Sequence, residues 1–127
     1  MENYQNESPP VLFAQALAEF NQQQFFEAHE TLEILWNNEK RELRLFYQAI
    51  LQIGVGFYKV KTKPNYRGAI SLLTTGIELL RPFAPYQFKV DVAKLLAEAE
   101  QALLELKQLG HEGFTEFVSI PSIDVIE

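Results

Sequence analysis

The stretch 41–61 constrains this chain most. Read at about 100° per residue, Leu43, Phe46, Tyr47, Ile50, Ile53, Gly54, Phe57 and Tyr58 form one wide apolar face. Leu45, Ala49 and Val60 extend it. A helix apolar over most of its circumference must be covered on most sides, so it belongs at the centre of a bundle. One narrow polar stripe interrupts it: Arg44, Gln48, Gln52 and later Lys59. Gly54 and Gly56 each weaken a helix interior by about 1 kcal/mol relative to alanine, which points to a neighbouring helix crossing there.

The flanking segments supply the cover. Ser8-Pro9-Pro10 reads as a helix start, with Ser8 as N-cap and Pro9 at the first helical position. That helix runs to about Asn21 with Leu12, Phe13, Ala16, Leu17 and Phe20 at helical spacing. A second helix, 25–37, carries Phe25, Ala28, Leu32, Leu35 and Trp36 on one stripe. Lys63-Pro64-Asn65 is a turn, and a fourth helix, 66–80, stops before Pro82. A fifth runs from about Gln87 to Leu109, with Gly110 as its stop. The last stretch, 114–127, is apolar but broken by Pro121. It reads as an extended segment lying on the bundle, with a strand or a partner-binding tail as alternatives. No strand pairing is needed. The expectation is an all-α fold, a single bundle of about five helices with an extended C-terminal tail. It divides into a flexible 1–8, a bundle domain 9–109 and an apolar tail 110–127 packed on it.

A weak repeat runs through this pattern. Phe25-Phe26-Glu27-Ala28, followed by Leu32, returns 41 residues later as Tyr66-Arg67-Gly68-Ala69, followed by Leu73. An aromatic, then alanine, then leucine at this spacing is typical of tetratricopeptide helix pairs, whose period is about 34 residues, so the likeness is loose. Its functional meaning would be a concave peptide-binding surface. The alternative is that alanine and leucine recur wherever helices pack closely.

Composition removes whole classes of function. The 127 residues include no cysteine, which excludes disulfides, thiolate metal sites and thiol catalysis. No apolar run reaches the roughly 18 residues that would suggest a membrane span. The polar, acidic Met1–Pro10 lacks the pattern of a signal peptide, so a cytoplasmic protein is expected. A net charge of −6 argues against nucleic acid, whose binding neutralises phosphates with Lys and Arg. That acidity resides in the two ends. Residues 9–109 hold eleven acids and eleven bases, with 9–39 acidic and 40–67 basic. Opposed charge blocks on neighbouring helices lead us to expect Arg44 to meet Glu33 or Glu30.

The chemistry-bearing segment is Glu27-Ala28-His29-Glu30-Thr31-Leu32-Glu33, continuing to Trp36. His29 and Glu33 are four apart, so they meet on one helix face. A histidine and a carboxylate so spaced could chelate a divalent metal, but a metal site needs a third ligand from elsewhere. The competing reading is a buried hydrogen-bond network of His29, Glu33, Arg44, Gln48 and Gln52 beside Trp36. Both readings place these residues together. No glycine-rich phosphate loop or nucleophile elbow is present, so nothing points to an enzyme. Lys59, Lys61, Lys63 and Arg67 form a basic cluster that suits the C-terminal dipole of the third helix.

Three segments together resemble the bacterial and archaeal "domain of unknown function 309" proteins: the run Phe25–Trp36, the run Arg44-x-x-Tyr47-Gln48-Ala49-Ile50-Leu51-Gln52, and Asn65-x-x-Gly68-Ala69 with Leu72 and Leu73. They span about residues 10–85. The resemblance implies an all-helical fold without an established activity. It also implies a metal-binding role for His29, Glu33 and Trp36, the positions that match a His-x-x-x-Glu-x-x-Trp motif. Ala49 stands where members commonly have glycine. The combined reading is a binding or scaffold module with a buried His/Glu/Arg/Gln cluster, its partner being another protein or a second copy of the chain. The alternative is a divalent-metal-binding protein, such as a metal-dependent hydrolase, that uses His29 and Glu33.

Overall fold

The computed structural model describes residues 9–126. Its elements are α1 (Val11–Asn21), α2 (Phe25–Asn38), α3 (Leu43–Lys61), α4 (Tyr66–Leu80), β1 (Tyr86–Gln87), β2 (Val90–Asp91) and α5 (Val92–Gly113). Short 3-10 turns follow α4 (Arg81–Phe83) and α5 (Phe114–Glu116). The architecture is an all-α bundle of five helices with an extended C-terminal tail, as the periodicity predicts. The expected flexible segment 1–8, with Ser8, lies outside the described residues. Pro9 is not helical: Pro10 takes the N-cap position and accepts from the Ala14 N–H at 2.8 Å.

α3 is the central helix. It packs most extensively on α4 and next on α2, while α1 covers α2 and α5 covers α4. The core is heavily aromatic. Phe13 of α1 meets Phe46 and Tyr47 of α3 with ring centroids 5.5 and 5.4 Å apart, and Phe20 meets Phe25 edge-on at 5.3 Å. Edge and tilted contacts suit the ring quadrupoles and add to the burial of the rings. Burial pushes the Tyr47 hydroxyl up to about 12, with the charge of Glu39 adding to the shift.

The two copies of the repeat sit on either side of α3. Phe25, Ala28 and Leu32 are buried on α2, and Ala69 and Leu73 on α4. The close crossing involves α4. A Cβ on Gly56 would meet Leu73 Cγ at 2.8 Å, and one on Gly76 would meet Ile53 Cγ1 at 2.8 Å and the Ala49 carbonyl oxygen at 3.1 Å. Gly54 differs: its nearest neighbour, the Phe20 ring, lies at an ordinary 3.5 Å. Of the two glycines singled out in the sequence, only Gly56 marks the close approach.

The fifth helix begins later than its pattern suggests. Residues 86–91 instead form a two-stranded antiparallel hairpin, Tyr86 opposite Asp91 and Gln87 opposite Val90. Its turn holds Phe88 and Lys89 at φ 51° and 62°, a left-handed conformation usually given to glycine or asparagine. Burial of Phe88 against Phe13 and Phe46 offsets that cost. Asp91 then caps α5, accepting from the Lys94 N–H at 2.9 Å. Gly110, at φ 72°, interrupts the helix, and one further turn follows.

The tail closes onto its own bundle. Phe117 and Ile123 are buried, and Phe117 stacks on Phe57 at 6.2 Å. Lys61 Nζ donates to the Phe117 carbonyl. Asn21 exchanges two hydrogen bonds with the Ile123 backbone, at 2.9 and 2.7 Å. Val125 bridges to Val90. Lys94 pairs with Asp124 at 3.3 Å and Glu98 at 3.1 Å.

Candidate functional site

The site singled out in the sequence spans the last three turns of α2 and the first three of α3. A four-residue linker joins the two helices, and Glu39 holds it. Its Oε1 accepts from the Lys40 and Arg41 backbone N–H groups at 3.1 and 3.0 Å and from Arg41 Nε at 3.3 Å. The Arg41 N–H is the largest of several influences that hold the Glu39 carboxyl below its ordinary range, partly opposed by burial.

The linker brings the end of α2 beside the start of α3. Arg44 stacks its guanidinium over the Trp36 ring, 4.1 Å from the centroid. One and two turns earlier on α2, Glu33 Oε2 and His29 Nε2 lie 3.2 Å apart. Further toward the start of α2, the Phe26 ring sits 6.4 Å from His29 and 6.3 Å from Tyr58 of α3. Phe26 is 52% exposed, so the face ends in an open aromatic.

This geometry corrects the buried-network expectation. The His29 and Glu33 side chains are 34% and 48% exposed, and Arg44, Gln48 and Gln52 are each only partly buried. Among the described residues Arg44 makes no ion pair with Glu30 or Glu33; Trp36 takes its place as partner. Gln52 faces the other way. Its Oε1 accepts from Thr75 Oγ1 on α4 at 2.6 Å, so it does not join His29. Gln48 lies between the two sides of α3 with no hydrogen-bond partner among the described residues. The more enclosed polar contact near α2 is Thr31, a buried residue whose Oγ1 donates to Glu19 Oε1 of α1 at 2.7 Å. Helical phase puts Glu33 at the edge of the apolar stripe, and the neighbouring helices do not extend over that edge.

A metal fits these residues poorly. Structural and catalytic zinc sites take at least three protein ligands. His29 and Glu33 supply two, and among the described residues no three His, Cys, Asp or Glu side chains gather into a cluster that could hold an ion. His111, the other histidine, packs instead against Tyr66 and Phe114, at 5.9 and 6.4 Å.

Phe26 and Tyr58 belong to this region although the sequence pattern did not assign them to it. Phe26 carried a usable signal: a large aromatic displaced from the apolar stripe beside the buried Phe25. Nothing local to Thr75 announces its contact across the helix pair.

Fold and site together define a small all-helical bundle with one half-exposed aromatic and polar face. Residues 13–72, from α1 into α4, match the model of the family described as Domain of unknown function (DUF309), a match that supports placing the chain in that family. No curated protein matches it. No helix among the described residues is long and apolar enough to cross a membrane.

Proposed function

We propose that this chain is a binding module that docks a protein partner on the α2–α3 face. What supports the reading is one observation. Phe26, Tyr58, Trp36 and Arg44 share a half-exposed surface, with Arg44 already stacked on Trp36. Tryptophan, tyrosine and arginine are the residue types that dominate binding hot spots, because they bring large area and directed hydrogen bonds at low entropic cost. The module acts as a soluble cytoplasmic unit in this reading, with 9–109 as the folded body and 110–127 as a tail that closes it. Phe117 and Ile123 of the tail are occupied within the chain, while Val118, Val125 and Ile126 stay exposed.

Capture from a lysate of the source organism tests the reading, using immobilised wild type, Phe26→Asp, and Leu104→Asp on the exposed side of α5. The expected result is a protein retained by wild type and Leu104→Asp and lost by Phe26→Asp. An identical set on all three, or nothing retained, contradicts it.

One observation favours a second reading, a divalent-metal site: the 3.2 Å His29–Glu33 pair. Metal-free protein melted with Zn²⁺, Mn²⁺ and Ni²⁺ decides that case. A native-state ligand must raise the melting temperature, and no shift removes the reading for the chain alone.

A further inference from the structure

We propose that the α2–α3 face is a self-association surface, on which two copies of the chain pack about a two-fold axis with α2 of each against α3 of the other. The proposal rests on the docking reading and names the partner: a second copy of this chain.

The first argument is an uncovered seam on the central helix. Arg44, Gln48, Leu51, Val55 and Tyr58 recur along α3 at intervals of four, three, four and three, and all five are only partly buried. That spacing is the narrow stripe by which one helix packs lengthwise on another. On α2, Phe26, His29, Glu33 and Trp36 follow at intervals of three, four and three, and none of them is buried. Leu51, Val55 and Tyr58 thus keep apolar surface in water, although α3 is the central helix of the fold. Covering such a stripe is favourable because it removes apolar area from water.

The second argument is charge complementarity. α2 carries Glu27, Glu30 and Glu33 and no lysine or arginine, whereas α3 carries Arg44, Lys59 and Lys61 and no carboxylate. Packing α2 on α2, or α3 on α3, would set like charges together, and only α2 on α3 sets opposite charges together. The third argument is level. Within one copy the two helices run antiparallel, with Phe26 beside Tyr58 and Trp36 beside Arg44. A two-fold axis parallel to both helices keeps those levels. It sets Phe26 of one copy opposite Tyr58 of the other, and Glu33, one turn from Trp36, near Arg44 of the other. Each contact then occurs twice, as in any isologous interface. A different partner would have to match an aromatic end and a charged end on both helices at once. A second copy does so by symmetry.

Sedimentation equilibrium of the full chain, at about 1 to 100 μM, tests the proposal. The expected result is a reversible dimer. Phe26→Asp and Val55→Asp, each shown to be folded by circular dichroism, should weaken it by about tenfold or more, because a charge would enter an apolar contact. Leu104→Asp, on the exposed side of α5, should leave the dimer unchanged. Glu33→Arg and Arg44→Glu should each weaken it, since each sets like charges together across the axis. An equimolar mixture of those two variants should regain the dimer, because both charge pairs are then opposite again. A wild type that stays monomeric overturns the proposal. So does a dimer indifferent to Phe26→Asp and Val55→Asp, or a mixture that associates no better than its components. A monomer that still captures a different protein through Phe26 overturns it and leaves the docking reading standing.

Discussion

The two sides of α3 are built to different standards. Toward α4, the helices approach until Gly56 touches Leu73 and Gly76 touches Ile53, and the polar Gln52 there is answered by Thr75. Toward α2, the interior half is just as closed through Phe25, Ala28 and Leu32, but the outer half stays open. It holds an exposed Phe26, a half-exposed His29–Glu33 pair and the Trp36 Nε1, which has no hydrogen-bond partner. Close packing and matched polar groups are what stability alone selects. A surface with apolar area left over is suited to another molecule. Five substitutions break or sharpen this contrast.

The largest effect should come from Gly76→Ala. Its Cβ would press on the backbone oxygen of Ala49 as well as on Ile53, and backbone yields little. We expect a loss of about 2–3 kcal/mol in urea unfolding, beyond the roughly 1 kcal/mol that alanine returns in helix propensity. Wild-type stability would show that the helices can separate there.

Next is Glu39→Gln, which weakens the acceptor that fixes the α2–α3 linker. The loss should be about 1 kcal/mol at neutral pH. Because the folded-state carboxyl titrates below its ordinary value, its contribution is present above that value and is lost as the pH falls through the lowered one. Wild type and variant should therefore converge in acid denaturation. A gap that persists in acid would show that Glu39 acts through something other than its charge.

Gly54→Ala should act in the opposite direction. With the Phe20 ring at 3.5 Å, a methyl group fits, and alanine's propensity should stabilise the protein by about 0.5–1 kcal/mol. A melting temperature that falls would place Gly54 with Gly56 and Gly76.

The smallest effects belong to Glu33→Ala and Glu30→Ala. Both side chains stand at the surface, and each change should cost under about 0.5 kcal/mol. A loss of 1–3 kcal/mol at Glu33 alone, about what an unsatisfied buried network would give, would restore the buried cluster.

Periodicity made the bundle legible. The apolar circumference of 41–61 identifies the central helix, and the repeated aromatic, alanine and leucine spacing marks the two helices that flank it. Long-range burial was not legible. The hairpin at 86–91 has no glycine or asparagine in its turn, and Phe88 is held there by Phe13 and Phe46, distant in sequence. Gly76 looks like any helical glycine until Ile53 lies against it. For the site, spacing brought His29 to Glu33 but carried no information on depth, which depends on how far the neighbouring helix reaches. Charge blocks suggested Glu33 for Arg44, whereas the short linker places Trp36 there first.

The contrast between the two sides rests on where the packing of α3 is closed. Urea unfolding of Gly76→Ala beside Phe26→Asp, in dilute protein, tests that most directly. The account predicts a loss of about 2–3 kcal/mol for Gly76→Ala and under about 0.5 kcal/mol for Phe26→Asp. Equal losses at the two positions, or a larger one at Phe26, would contradict it.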